Sequence, residues 1–116
     1  MTPRNLLSLE GAAVFLACIW VFFAQGNPWW LFVLLILAPD IAMLGYLLGP
    51  RVGSYTYNAV HLYVWPLALL AITLYTGTPL TLQLGLIWAA HIGMDRMLGY
   101  GLKYPSAFKD THLQRV

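Results

Sequence analysis

The stretch LAPDIAMLGY, residues 37–46, places Asp40 directly after Pro39 inside a run that is otherwise as apolar as a lipid tail. A carboxylate at such a position costs at least about 2.5 kcal/mol even on lenient insertion scales, so something must hold it there. Outward from this run the chain keeps the same character. It is 60% hydrophobic and only 9% charged, with a mean hydropathy of +0.72. Soluble domains carry about a quarter charged residues, so this composition describes a membrane protein. Its 116 residues suffice for one domain.

Four apolar runs are each near the ~20 residues that a hydrocarbon core requires. They cover residues 6–24, 29–48, 55–75 and 80–100, the last crossing only if an acid is tolerated, and residues 101–116 form a tail. Short connectors rich in Gly and Pro, at 25–28, 49–54 and 76–79, force neighbouring helices to run antiparallel. The expected fold is an all-α, antiparallel four-helix transmembrane bundle. Ala24-Gln25-Gly26 loosely fits a signal-peptidase site, but Glu10 interrupts the preceding apolar run, so the first helix is expected to stay. Arg4, Arg51, Lys103, Lys109 and Arg115 all fall at one end of this arrangement, which places both termini in the cytoplasm. The net charge of +2 is thus a topological signal, and no nucleic-acid partner is expected.

The polar residues within the spans fall at similar depths. At 1.5 Å per residue, Glu10 lies roughly 6 Å from the cytoplasmic end, Asp95 roughly 8 Å, His61 roughly 9 Å, Asp40 roughly 12 Å and His91 roughly 13 Å. Helices of alternating direction do not force this agreement, so the five are expected to share one site. His91 and Asp95 are i and i+4 and stack on one face, with Arg96 turned about 100° away. Tyr57 and Asn58, one turn before His61, are expected to orient its ring. Pro39 has no N–H and leaves the carbonyl of Leu35 without a helical donor. Arg96 is either a supporting residue of the site or an interfacial anchor that extends toward the surface. The lone Cys18 reads as a packing residue.

Asp40, His61, His91 and Asp95 make a nitrogen and oxygen ligand set suited to a divalent metal such as Zn, Fe or Mn. With Glu10, Asp40 and Asp95 as candidate catalytic carboxylates, the expected function is a metal-dependent hydrolase or oxidoreductase acting on a lipid-like substrate. Intramembrane acids and histidines also mark proton and ion paths. A proton- or ion-coupled transporter or channel would need a homo-oligomer lined by Thr73, Thr76, Thr78, Thr81 and Gln83, and a non-enzymatic partner subunit would need no metal at all. Self-association is expected for so small a bundle, with the lipid bilayer as the other partner. In the tail, Tyr100, Tyr104 and Phe108 can lie on the membrane surface. Lys103, Tyr104, Asp110, Thr111 and His112 are placed to act as a lid or to bind a head group.

The segments LSLEG (8–12), LAPDIAMLGYLLGPRVGSYTYNAVH (37–61) and IWAAHIGMDRMLGYGLKYPSAFKDTHL (87–113) resemble a bacterial membrane family, domain of unknown function 4260. The resemblance spans nearly the whole chain. It implies a small multi-pass protein of the bacterial inner membrane and supplies no activity. Its pattern falls here on Glu10, Asp40, Gly45, Tyr46, Asn58, His61, His91, Asp95, Arg96, Tyr100, Lys103, Tyr104, Thr111 and His112. A weaker likeness, to small membrane-bound metal-dependent hydrolases, rests on intramembrane His and Asp with a Thr-His pair.

Overall fold

A computed structural model describes residues 2–105 and 110–115; the tail residues Phe108 and Lys109 lie outside this range. Among the described residues six α-helices follow in order: α1 (Pro3–Ala24), α2 (Trp29–Leu35), α3 (Pro50–Val60), α4 (Val64–Thr76), α5 (Pro79–Met97) and α6 (His112–Arg115). A 3-10 helix, Ala38–Leu48, lies between α2 and α3. Three helical segments, Pro3–Ala24, Trp29–Leu48 and Pro50–Thr76, are long and apolar enough to cross a membrane. The run expected over 80–100 is helical as α5 and ends at Met97. It falls short in hydropathy because Gln83, His91, Asp95 and Arg96 interrupt it.

α1 starts earlier than residue 6 because Thr2 caps it, its hydroxyl accepting the Asn5 N–H at 3.2 Å, and Pro3 occupies the first turn, where no N–H is needed. The two middle runs are not the single helices expected. In the second, α geometry stops at Leu35. Pro39 cannot donate, and the Asp40 N–H bonds to Leu37 three residues back at 3.0 Å, which tightens the chain into the 3-10 helix. In the third, the helix begins at Pro50 rather than residue 55 and breaks at residues 61–63. Pro66 has no N–H for the Leu62 carbonyl, and its ring would clash with that carbonyl in a continuous helix.

The 3-10 helix lies against α3. The Thr56 hydroxyl donates to the Ala42 carbonyl at 2.8 Å, and Gly45 meets Thr56 so closely that a Cβ there would fall 2.1 Å from the hydroxyl oxygen. α5 is the most buried element and packs against α1 and α4. At one end the core is apolar, with Phe22, Leu86 and Ile87 buried and the Phe22 ring edge-on to Phe32 at 5.4 Å. Leu74 and Tyr75, by contrast, are 91% and 93% exposed, as suits side chains facing hydrocarbon.

The α1–α5 crossing depends on two glycines. A Cβ on Gly93 would sit 2.7 Å from the Gly11 carbonyl oxygen and 2.8 Å from the Phe15 nitrogen, and a Cβ on Gly11 would sit 2.3 Å from the Arg96 Cβ. Small residues at such crossings let helix backbones touch, which is how helices associate where no hydrophobic force separates them from lipid. Because backbone atoms cannot step aside, Gly93→Ala is expected to destabilise the protein by roughly 1–3 kcal/mol. Gly85→Ala, whose nearest neighbour is the Leu70 side-chain tip at 3.1 Å, should cost clearly less. Reversible unfolding of both variants in mixed detergent checks the difference.

Candidate functional site

The two helix breaks leave backbone carbonyls without helical donors, and side chains of α5 take them up. His91 Nδ1 donates to the Ile36 carbonyl at 2.5 Å, Trp88 Nε1 to the Val60 carbonyl at 2.7 Å, and Arg96 Nη2 to the His61 carbonyl at 3.3 Å. An acceptor near Pro39 therefore exists, and the carbonyl that His91 reaches is that of Ile36. The 3-10 turn sends the Asp40 N–H to Leu37, and Pro39 has none to offer, so Ile36 is the carbonyl left over.

His61 sits at the end of α3, where its Nδ1 donates to the Tyr57 carbonyl at 2.7 Å. A carbonyl only accepts, so both imidazoles carry a proton on Nδ1 and turn Nε2 toward each other. The two Nε2 atoms are 3.1 Å apart. Asp40 Oδ1 lies 3.4 Å from His61 Nε2 and 3.1 Å from His91 Nε2; Asp95 Oδ2 lies 3.3 Å and 3.4 Å from the same atoms. Two neutral imidazoles and two carboxylates would thus converge only lone pairs. The cluster needs a proton or a metal ion between these atoms.

The four ligand atoms all lie within 4.8 Å of one another, an arrangement able to hold a metal ion. A tetrahedron with zinc–ligand bonds of about 2.0–2.1 Å has edges of about 3.3 Å. The five edges that involve a histidine nitrogen, 3.1–3.4 Å, match it, and the sixth, between the two carboxylates, is within 4.8 Å. His61, His91 and Asp95 are buried, while the Asp40 side chain keeps 31% of its surface accessible. Asp40 is the open side. Its chain neighbours Pro39 and Ile41 line a cavity of about 610 Å³ whose other walls include Leu35, Val60, Ile87 and Trp88.

Tyr57 supports the cluster as expected. Its hydroxyl donates to Asp95 Oδ2 at 2.9 Å, and its ring stacks on His61 at 3.7 Å with 9° between planes. Asn58 does not orient the imidazole. Its amide donates to the Lys103 carbonyl and its oxygen accepts the Lys103 N–H, both at 2.7 Å, so it clamps the tail. Glu10, expected among the catalytic carboxylates, is not in the cluster. It is exposed on α1 and lines a separate cavity with Tyr63 and Arg96. Arg96 is buried, not an exposed anchor. The threonines expected along a pore instead tie the α4–α5 turn together, Thr73 to Thr81 at 2.6 Å and Thr76 to Thr78 at 2.9 Å, while Gln83 bonds Asn27. Pro66 and Trp88 went unused in the sequence reading. A proline four residues after Leu62, and a Trp three before His91 on the same helix face, are the signals that carried them.

The tail folds back over this end of the molecule. Lys103 and Thr111 form an antiparallel bridge, the Tyr104 N–H bonds to Asp110 at 2.7 Å, and the His112 N–H to Leu102 at 2.8 Å. Arg115 pairs with Asp110 at 2.6 Å and lies over the Tyr104 ring. Lys103 is buried with its Nζ 4.6 Å from the Tyr57 ring centre. Burial pushes its ammonium below the usual lysine range, against the pull of the Asp95 and Asp40 carboxylates. Arg4 donates to the Leu113 carbonyl at 2.7 Å and the Gln114 carbonyl at 2.9 Å, so the two ends of the chain meet.

The chain belongs to the family described as Domain of unknown function (DUF4260), whose model matches residues 4–116. Neither the curated proteins nor the solved structures include a match to it.

His112 supplies a pH handle on the docked tail. Burial first, and the Arg96 charge second, hold its pKa below the ordinary 6.5. In the docked state its Nδ1 accepts the Leu102 N–H at 2.8 Å, which only the neutral ring can do. With the docked pKa below the undocked one, docking is at full strength above about 6.5 and is lost as pH falls through the docked value. Exchange of the Leu102 and His112 amides, corrected for intrinsic rate, should accelerate as pH falls from about 7.5 to about 5. An unchanged corrected rate would show that the tail docks without His112.

Proposed function

We propose that the protein is a multi-pass membrane enzyme, a zinc-class metal-dependent hydrolase that acts on an amphiphile carrying an acyl chain. The observation that carries this reading is the convergence of both Nε2 atoms and two carboxylate oxygens, with 3.1–3.4 Å for every pair that includes a histidine, together with the commitment of both Nδ1 donors to backbone carbonyls. Metal-ligating histidines typically spend their second nitrogen in this way. Tetrahedral nitrogen and oxygen ligation favours zinc, which has no redox chemistry, and so favours hydrolysis over oxidation.

His61, His91 and Asp95 make the buried three-ligand set, and Asp40 is the accessible fourth group. A bound ion of this class supplies a Lewis acid and a water nucleophile at neutral pH. With His61, His91 and Asp95 holding such an ion, Asp40 would leave the fourth position open and would serve as the general base at its carboxylate, while Tyr57 holds Asp95 in place through its hydroxyl. The apolar cavity beside Asp40, at about 610 Å³, suits a hydrocarbon chain and brings the bond to be cut to the open side of the site. The docked tail, with Lys103 over Tyr57, covers the polar end. α5 is the fourth span of this reading, buried among the other three, and both termini lie on the cytoplasmic side of a bacterial inner membrane, a reading supported by the Arg4 bonds to the tail. Self-association through the exposed apolar surface belongs to the same proposal.

Elemental analysis of the purified full-length protein should find about one zinc-class ion per chain, absent from His61→Ala and His91→Ala. Asp40→Asn should keep the ion and lose at least about 100-fold in turnover of long-chain p-nitrophenyl esters, the scale of a general base. A folded wild-type protein that neither carries nor takes up zinc, iron or manganese would overturn the proposal.

A further inference from the structure

Arg96 is 8% exposed, yet among the described residues its guanidinium reaches two backbone carbonyls, Tyr100 and His61, each at a long 3.3 Å. Five N–H donors are available on this side chain, and among the described residues no carboxylate pairs with it. Glu10 is likewise without an ion-pair partner among them. The two line one cavity of about 450 Å³, whose remaining walls are Leu7, Gly11, Ala13, Val14 and Tyr63.

Unpaired opposite charges flanking a single cavity would ordinarily collapse into an ion pair. Here the helix crossing holds them apart. Gly11, next to Glu10, sits against the Arg96 Cβ with no room for a side chain, and the two carbonyl bonds direct the guanidinium. In a leaflet, charges without an ion-pair contact are costly, and a ligand bearing both opposite charges would satisfy each of them.

We propose that this cavity is a binding site for a zwitterionic phospholipid head group, with the phosphate on Arg96 and the ammonium on Glu10. A planar guanidinium matches phosphate oxygens, and basic pockets between spanning helices are where head groups are recognised. Glu10 supplies the selectivity, since an acid beside the phosphate site disfavours a head group that has no cation. The lipid form is favoured over a soluble phosphate ester because Leu7, Ala13 and Val14 line the rest of the cavity on α1, a helix long and apolar enough to span. The site is distinct from the His–Asp cluster, and the inference does not depend on a metal there.

Native mass spectrometry of the full-length protein in detergent tests it, with phosphatidylethanolamine and phosphatidylglycerol of identical acyl chains as probes. Phosphatidylethanolamine should bind about fivefold more tightly, the scale of one solvent-accessible ion pair. Glu10→Gln should remove that preference, leaving phosphatidylglycerol affinity unchanged or raised. Equal binding of the two lipids by the wild-type protein would overturn the proposal, and this comparison decides even if the variant fails to fold. A preference that survives in folded Glu10→Gln would overturn it as well. Soluble phosphoethanolamine binding as tightly as the lipid would overturn the assignment to phospholipid.

Discussion

In hydrocarbon, a backbone carbonyl without a donor costs several kcal/mol, and two prolines in this chain create such carbonyls within apolar helices. Pro39 leaves Ile36 over; the break before Pro66 leaves Val60 and His61. One helix, α5, meets all three with His91, Trp88 and Arg96. These bonds explain why the most polar long helix is also the most buried. Its polar side chains complete the hydrogen bonding of its neighbours, and the neighbours in turn fix where those side chains point.

The chemistry of the site follows from that exchange. Once His91 donates its Nδ1–H to Ile36, and His61 its own to Tyr57, the two Nε2 atoms face the carboxylates and need a proton or a metal ion between them. The breaks also set the positions of the groups. His61 is the residue at which α3 stops, and Asp40 stands in the first turn of the 3-10 helix, so neither belongs to a regular α-helical face. A continuous second helix would satisfy its own Ile36 carbonyl and leave His91 free to rotate. The irregular backbone thus preorganises the cluster, with Tyr57 linking it outward to Lys103 and the folded tail.

Glycine contacts set the second dimension. α1 reaches α5 at Gly11 and Gly93, which brings the helix bearing Glu10 alongside Arg96, while the 3-10 helix reaches α3 through Gly45 and Gly53. The molecule therefore has a close seam on each side of the cluster. Arg4 then ties α1 to the tail by donating to the Leu113 and Gln114 carbonyls, which helps hold Lys103 and Thr111 in buried positions near the site.

The sequence by itself determined the apolar runs, the alignment of His91 with Asp95 one turn apart, the role of Tyr57 and the consequence of a proline beside Asp40. Each is a local matter, because helical periodicity and the missing N–H of proline act within a few residues. Depth counted along the spans brought Asp40, His61, His91 and Asp95 together correctly, but it also enrolled Glu10. Depth fixes position along a helix and says nothing of the direction a side chain faces around it. Helical spacing likewise pairs Asn58 with His61, whereas its partner, Lys103, lies 45 residues away. Only the tertiary structure decided that Arg96 is buried, that the Ile36 carbonyl receives His91, and that Glu10 belongs to a different cavity. Those outcomes rest on interhelical distances, which glycine contacts and helix breaks set and which no single helix encodes.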